Sequence, residues 1–186
     1  TSGIIVAAKT DIAHLHLSSQ FKQHTVNRQY QAIVWGIPEK KHGIVEASIS
    51  RHPLKRKKMT IVKNKGECEE LYNKGKHAVT HWKVLKIFKT ATLIACKLET
   101  GRTHQIRVHM TSIGHPLVGD KQYGKSTLKN FSGLPDELIQ TIKSFSRQAL
   151  HAELLGFKHP VTEKWCEFKT NLPEDFSNLL TELKKS

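Results

Sequence analysis

The sequence predicts an α+β fold, a largely antiparallel mixed β-sheet flanked by helices, as a single domain over residues 1–186. Alternating, β-branched and aromatic runs fill the middle of the chain, and helix-periodic runs bracket them. Two of the central runs lie close enough in sequence to pair as an antiparallel hairpin. With 186 residues and 38% apolar content the chain can bury one core, and no internal repeat interrupts it.

In order, IIVAAK (4–9) is a compact apolar run expected as a strand. Thr10-Asp11 then offers a side-chain cap for a helix that takes in Leu15, Leu17 and Phe21. RQYQAIVWG alternates, with Tyr30, Ala32 and Val34 on one face and Gln31, Ile33 and Trp35 on the other, up to a Gly36/Pro38 break. GIVEASIS (43–50) repeats the pattern. RHPLKRKK (51–58) gathers basic residues around a proline and reads as an exposed loop leading to a strand over 59–62.

AVTHWKVLKIF and TLIACKLE, on either side of residues 89–91, are expected to form the hairpin, and Thr100-Gly101 closes its second strand. Thr103 is expected to cap a helix from about His104 to Ile113, with Ile106, Met110 and Ile113 on its apolar face and Gly114 and Pro116 as the stop. The first amides of such a helix suit an anion. DELIQTIKSF (136–145) and EDFSNLLTELKK (174–185) carry helical apolar stripes, and between them LHAELLGFKHP and KWCEFKT read as two strands joined by a turn around Pro160 and Glu163.

Thirty Lys and Arg against 16 Asp and Glu give a formal charge of +14, with a pI near 9.8, which points to a polyanionic partner, nucleic acid above all. No apolar run approaches the roughly 18 residues of a membrane span. Cys68, Cys96 and Cys166 are odd in number, far apart and without CxxC spacing, so neither a disulfide framework nor a cysteine metal site is indicated, which fits a reducing cytoplasm. His104 and His109 stand five apart and fall on different faces of a helix, so no metal is expected; His109 reads as scaffold. GKST (124–127) lacks the upstream glycine of a phosphate loop, and no GxSxG elbow is present. What remains is a basic corner, GRTHQIRVHM (101–110), beside a few aromatic residues. That fits an RNA-binding module, or an enzyme that acts on a base without cofactor or metal, and spacing alone does not choose.

Six ordered segments carry a resemblance: TSGIIVAAKT, NRQYQAIVWG, ISRHPLKRKKM, KHAVTHWKVL, ETGRTHQIRVHMTSIGHPLVGDKQYG and RQALHAELLGFKHP. Over nearly its whole length the chain resembles the catalytic domain of the RluA-type pseudouridine synthases. The resemblance implies isomerisation of uridine to pseudouridine in ribosomal RNA, that of the large subunit, with no cofactor and no metal, by a cytoplasmic protein expected to be a monomer. The family's key carboxylate is the Asp of an HRLD motif directly before a TSG like Thr1-Ser2-Gly3. That Asp would stand upstream of Thr1, outside this sequence, so the domain is expected to be incomplete at its start and inactive as it stands. Asp120 is read instead as a turn residue anchoring its loop to Tyr123.

Two family positions fall on residues of this chain. The active-site tyrosine falls on Tyr30, whose ring would stack on the flipped uracil with its hydroxyl near C5. The basic partner of the missing Asp falls on Arg107, which is then expected to be a stranded cation in a mobile or anion-occupied loop. Arg102, His104 and Gln105 are expected to contact RNA at the helix start, and Arg51, Lys55, Arg56, Lys57 and Lys58 to contact its backbone. The alternative class is a catalytically silent RNA-binding or ribosome-assembly protein of the same fold.

Overall fold

A computed structural model describes residues 1–62, 75–124 and 131–186; Cys68 and most of GKST lie outside the described residues. The elements run β1 (Ser2–Gly3), α1 (Asp11–Lys22), β2 (Asn27–Trp35), β3 (His42–Arg51), β4 (Met59–Ile61), β5 (Lys76–Ile87), β6 (Ala91–Leu98), α2 (Gln105–Ser112), α3 (Asp136–Ser144), β7 (Leu150–Lys158), β8 (Trp165–Lys169) and α4 (Glu174–Lys185). One sheet orders its strands β1-β7-β2-β6-β5-β3-β4, with β8 also on β7. Among the described residues only β1 and β7 run parallel; the other pairs are antiparallel. This is the α+β architecture the patterning predicts.

The central strand β2 is covered on both faces, and its alternation decides what each face meets. Ile33 and Trp35 join the cluster that α3 and α4 supply with Leu138, Ile142, Phe176, Leu179 and Leu183. Ala32 and Val34 face the other way, into a cluster with Ile94, Cys96, Ile106 and Met110, and Tyr30 packs against it. α2 therefore lies on the Tyr30 face, and the two amphipathic C-terminal helices close the opposite face. A β-bulge interrupts the β2/β7 register between Gln29 and Tyr30, opposite Glu153. Bulges of this kind twist a strand and re-aim its side chains.

Local signals explain several boundaries. Thr10 caps α1 as expected, its hydroxyl accepting from the Ala13 amide at 3.3 Å. Within α1, Leu17 is buried against Val26, Leu155 and Phe157, whereas Leu15 is exposed. α2 ends in a Schellman arrangement: Gly114 adopts φ +87°, its amide donates to Thr111 O at 3.1 Å, and the His115 amide donates to Met110 O at 2.9 Å.

Two expectations are corrected. IIVAAK is not a strand: only Ser2 and Gly3 pair with β7, followed by a single bond from the Ile4 amide to Ala152 O. Past that point the same edge of β7, Leu154 to Lys158, is occupied by β8. The segment has no free edge to join, so Ile4 and Val6 pack into the α1 cluster instead and Ile5 faces solvent. Ile113 is likewise not on the buried stripe of α2; it is the C-cap residue and is 38% exposed.

Candidate active site

α2 begins at a corner whose geometry depends on one side chain. Gln105 is buried, and its amide is fully used: Nε2 donates to Val79 O at 2.9 Å and Thr80 Oγ1 at 3.0 Å. Its Oε1 accepts from Thr100 Oγ1 at 2.7 Å and from the Arg102 amide at 2.9 Å. The β5–β6 hairpin and the helix entrance are thereby tied together. Two expectations change as a result. Gln105 has no polar atom left for RNA, and Thr103 does not cap the helix, because His104 at φ 58° is the N-cap residue and makes no capping bond. The first helical amide is also taken, since Gln105 N donates to Arg102 O at 3.0 Å.

Arg107, in the first turn of α2, is not stranded. It pairs with Asp120 through both Nε and Nη2, at 2.7 and 2.8 Å, and Nη2 also donates to Gln122 Oε1 at 3.0 Å. The Arg107 side chain is 10% exposed and that of Asp120 is 0%. Asp120 in turn accepts from the amides of Gln122 and Tyr123 at 3.0 and 3.1 Å, the turn-anchoring role read from the sequence. Burial pushes the Asp120 carboxyl up, but the Arg107 hydrogen bond and the Tyr123 and Gln122 amides outweigh it and hold it below the ordinary carboxylate range. Asp120, Gln122 and Tyr123 were not legible as an arginine clamp, because nothing local in GDKQYG marks which cation it meets.

Tyr30 and Arg107 come together. A cleft of about 290 Å³ is lined by both, with Arg102, His104 and Leu150 beside them and Thr1 also on its wall. Burial raises the Tyr30 phenol above its usual value, against the opposing field of Arg28, so the group is neutral at pH 7. His104, on the cleft wall, is anchored through Nδ1, which pairs with the Tyr123 hydroxyl at 2.8 Å. Arg102 Nε donates to His77 O at 2.9 Å. His109 is away from it, fully buried, with Nδ1 on Thr80 Oγ1 at 3.0 Å and its pKa lowered to about 4 by burial.

The basic loop has a defined shape. His52 Nδ1 accepts from the amides of Leu54 and Lys55, each at 3.2 Å, and the His52 amide donates to Lys58 O at 2.9 Å. Arg51, Lys55, Arg56 and Lys57 are exposed. Lys58 is half-buried, its Nζ 5.8 Å from the centre of the Tyr123 ring. Gln122 Nε2 donates to Lys57 O, which ties this loop to the clamp on Arg107. Among the described residues, no group of three or more His, Cys, Asp or Glu converges as a metal site, and no helix is long and apolar enough to cross a membrane.

The fold and this cleft define a class. Residues 1–112 match the family model described as RNA pseudouridylate synthase, and the chain belongs to that family. It is 46% identical over 179 residues to the ribosomal large subunit pseudouridine synthase D of Zymomonas mobilis, covering 96% of this chain and 52% of that protein. The protein of the same name from Pseudomonas aeruginosa is 43% identical over 185 residues, covering 100% of this chain and 54% of its own length. The chain spans about half the length of these relatives. Among solved structures, human RNA pseudouridylate synthase domain containing 4 shares the fold, with a TM-score of 0.72 at 24% identity over 95% of this chain and 69% of that one.

Proposed function

We propose that this chain is the catalytic part of an enzyme that isomerises uridine to pseudouridine in ribosomal RNA, that of the large subunit. The observation that carries the reading is the meeting of Tyr30 and Arg107 in one cleft with Thr1 on its wall. A carboxylate carried just ahead of Thr1 in a longer protein would enter beside the Arg107 guanidinium. Nη1 has no hydrogen-bond partner among the described residues, because Asp120 and Gln122 engage Nε and Nη2. Arg107 would then hold the incoming carboxylate ionised while Asp120 fixes the plane of the guanidinium.

The reaction breaks the C1′–N1 bond, turns the base and joins C5 to C1′; a proton leaves C5 and N1 gains one, so no atom is gained or lost overall. C1′ and C5 are inaccessible in a stacked duplex, so the uridine must be flipped out, at a cost of a few kcal/mol that loops and bulges reduce. Tyr30 supplies a stacking surface for it. Because burial keeps its phenol neutral, the ring and a hydroxyl hydrogen bond are its contribution, rather than a standing phenolate base. The exposed cations Arg51, Lys55, Arg56 and Lys57 and the half-buried Lys58 hold the RNA backbone, with Arg102 and His104 at the mouth of the cleft. The enzyme would act in the cytoplasm as a monomer, without cofactor or metal.

The test is to incubate a longer protein, carrying the segment ahead of Thr1, with large-subunit ribosomal RNA and map pseudouridine. Formation at defined positions, lost on Arg107→Ala, supports the reading. A folded protein with the upstream Asp that modifies nothing, yet still binds the RNA, would leave the silent RNA-binding alternative.

A further inference from the structure

A second cleft of about 310 Å³ lies beside the first, lined by Phe21, Lys22, His24, Arg28, Gly101 and Arg102. Arg102 belongs to both clefts. Arg28 sits two residues before Tyr30 on β2, and each group bears on the proton affinity of the other.

The guanidinium of Arg28 is unusual for a buried cation. The residue is only 8% exposed, yet among the described residues none of its polar contacts is a carboxylate. Nη2 donates to the backbone oxygen of Glu99 at 3.2 Å, the Phe21 ring lies 5.3 Å below, and Nε is buried with no hydrogen-bond partner among the described residues. Burial disfavours its charge, Tyr30 favours it, and the nearby Arg102 disfavours it again. A buried charge of this kind is costly unless it is paired. Gly101 makes room for it: a Cβ there would lie 2.2 Å from Arg28 Nη1. The first residue of GRTHQIRVHM is therefore needed for space beside a cation.

We infer that this second cleft is a phosphodiester site, in which Lys22, His24, Arg28 and Arg102 take the backbone phosphate next to the nucleotide held in the Tyr30 cleft. The inference rests on RNA being the substrate. A phosphate oxygen would supply the counter-charge that Arg28 lacks, and Arg102, common to both walls, would sit between the phosphate and the flipped nucleoside. Three cations and a histidine on one small cleft, with no acidic side chain among the residues that line it, suit a singly charged diester.

The test is binding of this chain to a single-stranded oligoribonucleotide containing one uridine, measured against salt concentration. The variant combines Lys22→Ala with His24→Gly; both residues are exposed, and His24 occupies a left-handed position (φ 59°) that glycine adopts freely, so the fold is kept. The expected result is a loss of up to roughly 0.7 in the slope of log Kd against log salt, the value for one whole single-strand phosphate contact, because Arg28 and Arg102 remain. An oligonucleotide with an uncharged methylphosphonate on one side of the uridine should lower the wild-type slope by roughly 0.7 and the variant's by less. An unchanged slope in the variant, or full additivity of the two changes, overturns the site. Pseudouridine mapping with the longer protein is read separately: modification with an unchanged slope removes the phosphate site alone, whereas an altered slope without modification removes the enzyme reading and leaves the site.

Discussion

Replacing Asp120 by Asn isolates the clamp on Arg107. In the native protein Oδ1 accepts from Arg107 Nη2 and from the Gln122 and Tyr123 amides, while among the described residues the sole partner of Oδ2 is Arg107 Nε at 2.7 Å. An Asn whose oxygen stays at the Oδ1 position keeps the two turn amides but sets its NH₂ against Nε, donor facing donor. The guanidinium, 10% exposed, is left with an uncompensated charge. Breaking one side of a buried pair costs about 3–5 kcal/mol, and since Asn retains the turn bonds the lower end applies, about 3 kcal/mol. In urea, with a slope of roughly 2 kcal/mol/M, the midpoint should fall by about 1.5 M. The pH dependence checks the cause. Because the folded pKa of Asp120 is depressed, its contribution is present above the unfolded value of about 3.9 and is lost as pH falls through the folded value. The gap between wild type and variant should therefore be constant from pH 7 to 5 and close only below about pH 4. A midpoint shift worth less than about 0.5 kcal/mol, the size of an ordinary surface substitution, would refute the clamp.

Other outcomes follow from the same geometry. His109, neutral and fully buried, has its pKa lowered from 6.5 to about 4, so stability is lost as pH falls from about 6.5 towards 4. That loss amounts to about 3 kcal/mol. Urea titrations should show His109→Gln with a flatter pH profile, and parallel profiles would reject the assignment. Gln105→Leu removes four internal hydrogen bonds at the helix entrance, leaving buried partners unsatisfied at about 1–3 kcal/mol each; thermal unfolding should show strong destabilisation. Changing Arg51, Lys55, Arg56 and Lys57 together to Ala should flatten the salt dependence of RNA binding by roughly 0.7 per lost phosphate contact, and an unchanged slope would take the loop out of the interface. In the longer protein, Tyr30→Leu should abolish pseudouridine formation while leaving the fold intact by circular dichroism.

What was legible in the sequence was whatever one segment determines alone. The alternation of β2 placed Tyr30 with Ala32 and Val34 and opposite Ile33 and Trp35, because the pleat has a period of two wherever the chain is extended. Thr10 and Gly114 marked helix ends through bonds that span only a few residues. The failures are contests settled at long range. IIVAAK has the composition of a strand, but the β7 edge it would need is taken by a strand some 160 residues later. Thr103 has the chemistry of a cap, but Gln105 reaches β5 and fixes the corner with His104 in a left-handed turn. Arg107 looked partnerless only because Asp120 reads equally well as a turn residue; it is both, since one carboxylate oxygen serves the turn and both serve the guanidinium.

Tyr123 makes the basic loop and the cleft one structure. Two cations lie over its ring, Arg107 Cζ 4.7 Å and Lys58 Nζ 5.8 Å from its centre. Its hydroxyl accepts from the Met59 amide at 2.7 Å and meets His104 Nδ1 at 2.8 Å. With the oxygen already accepting from Met59, the phenol's own proton is the natural donor to Nδ1, which puts the imidazole proton on Nε2. Burial lowers the His104 pKa, Arg107 lowers it further, and Asp120 opposes them, so the ring is neutral at pH 7. His104 therefore presents an uncharged N–H donor beside Arg107, and its orientation is set by the strand that leaves the 51–58 loop. The backbone amide of Met59, which follows that loop, is thus joined through one Tyr123 side chain to both His104, by the hydroxyl, and Arg107, by the ring.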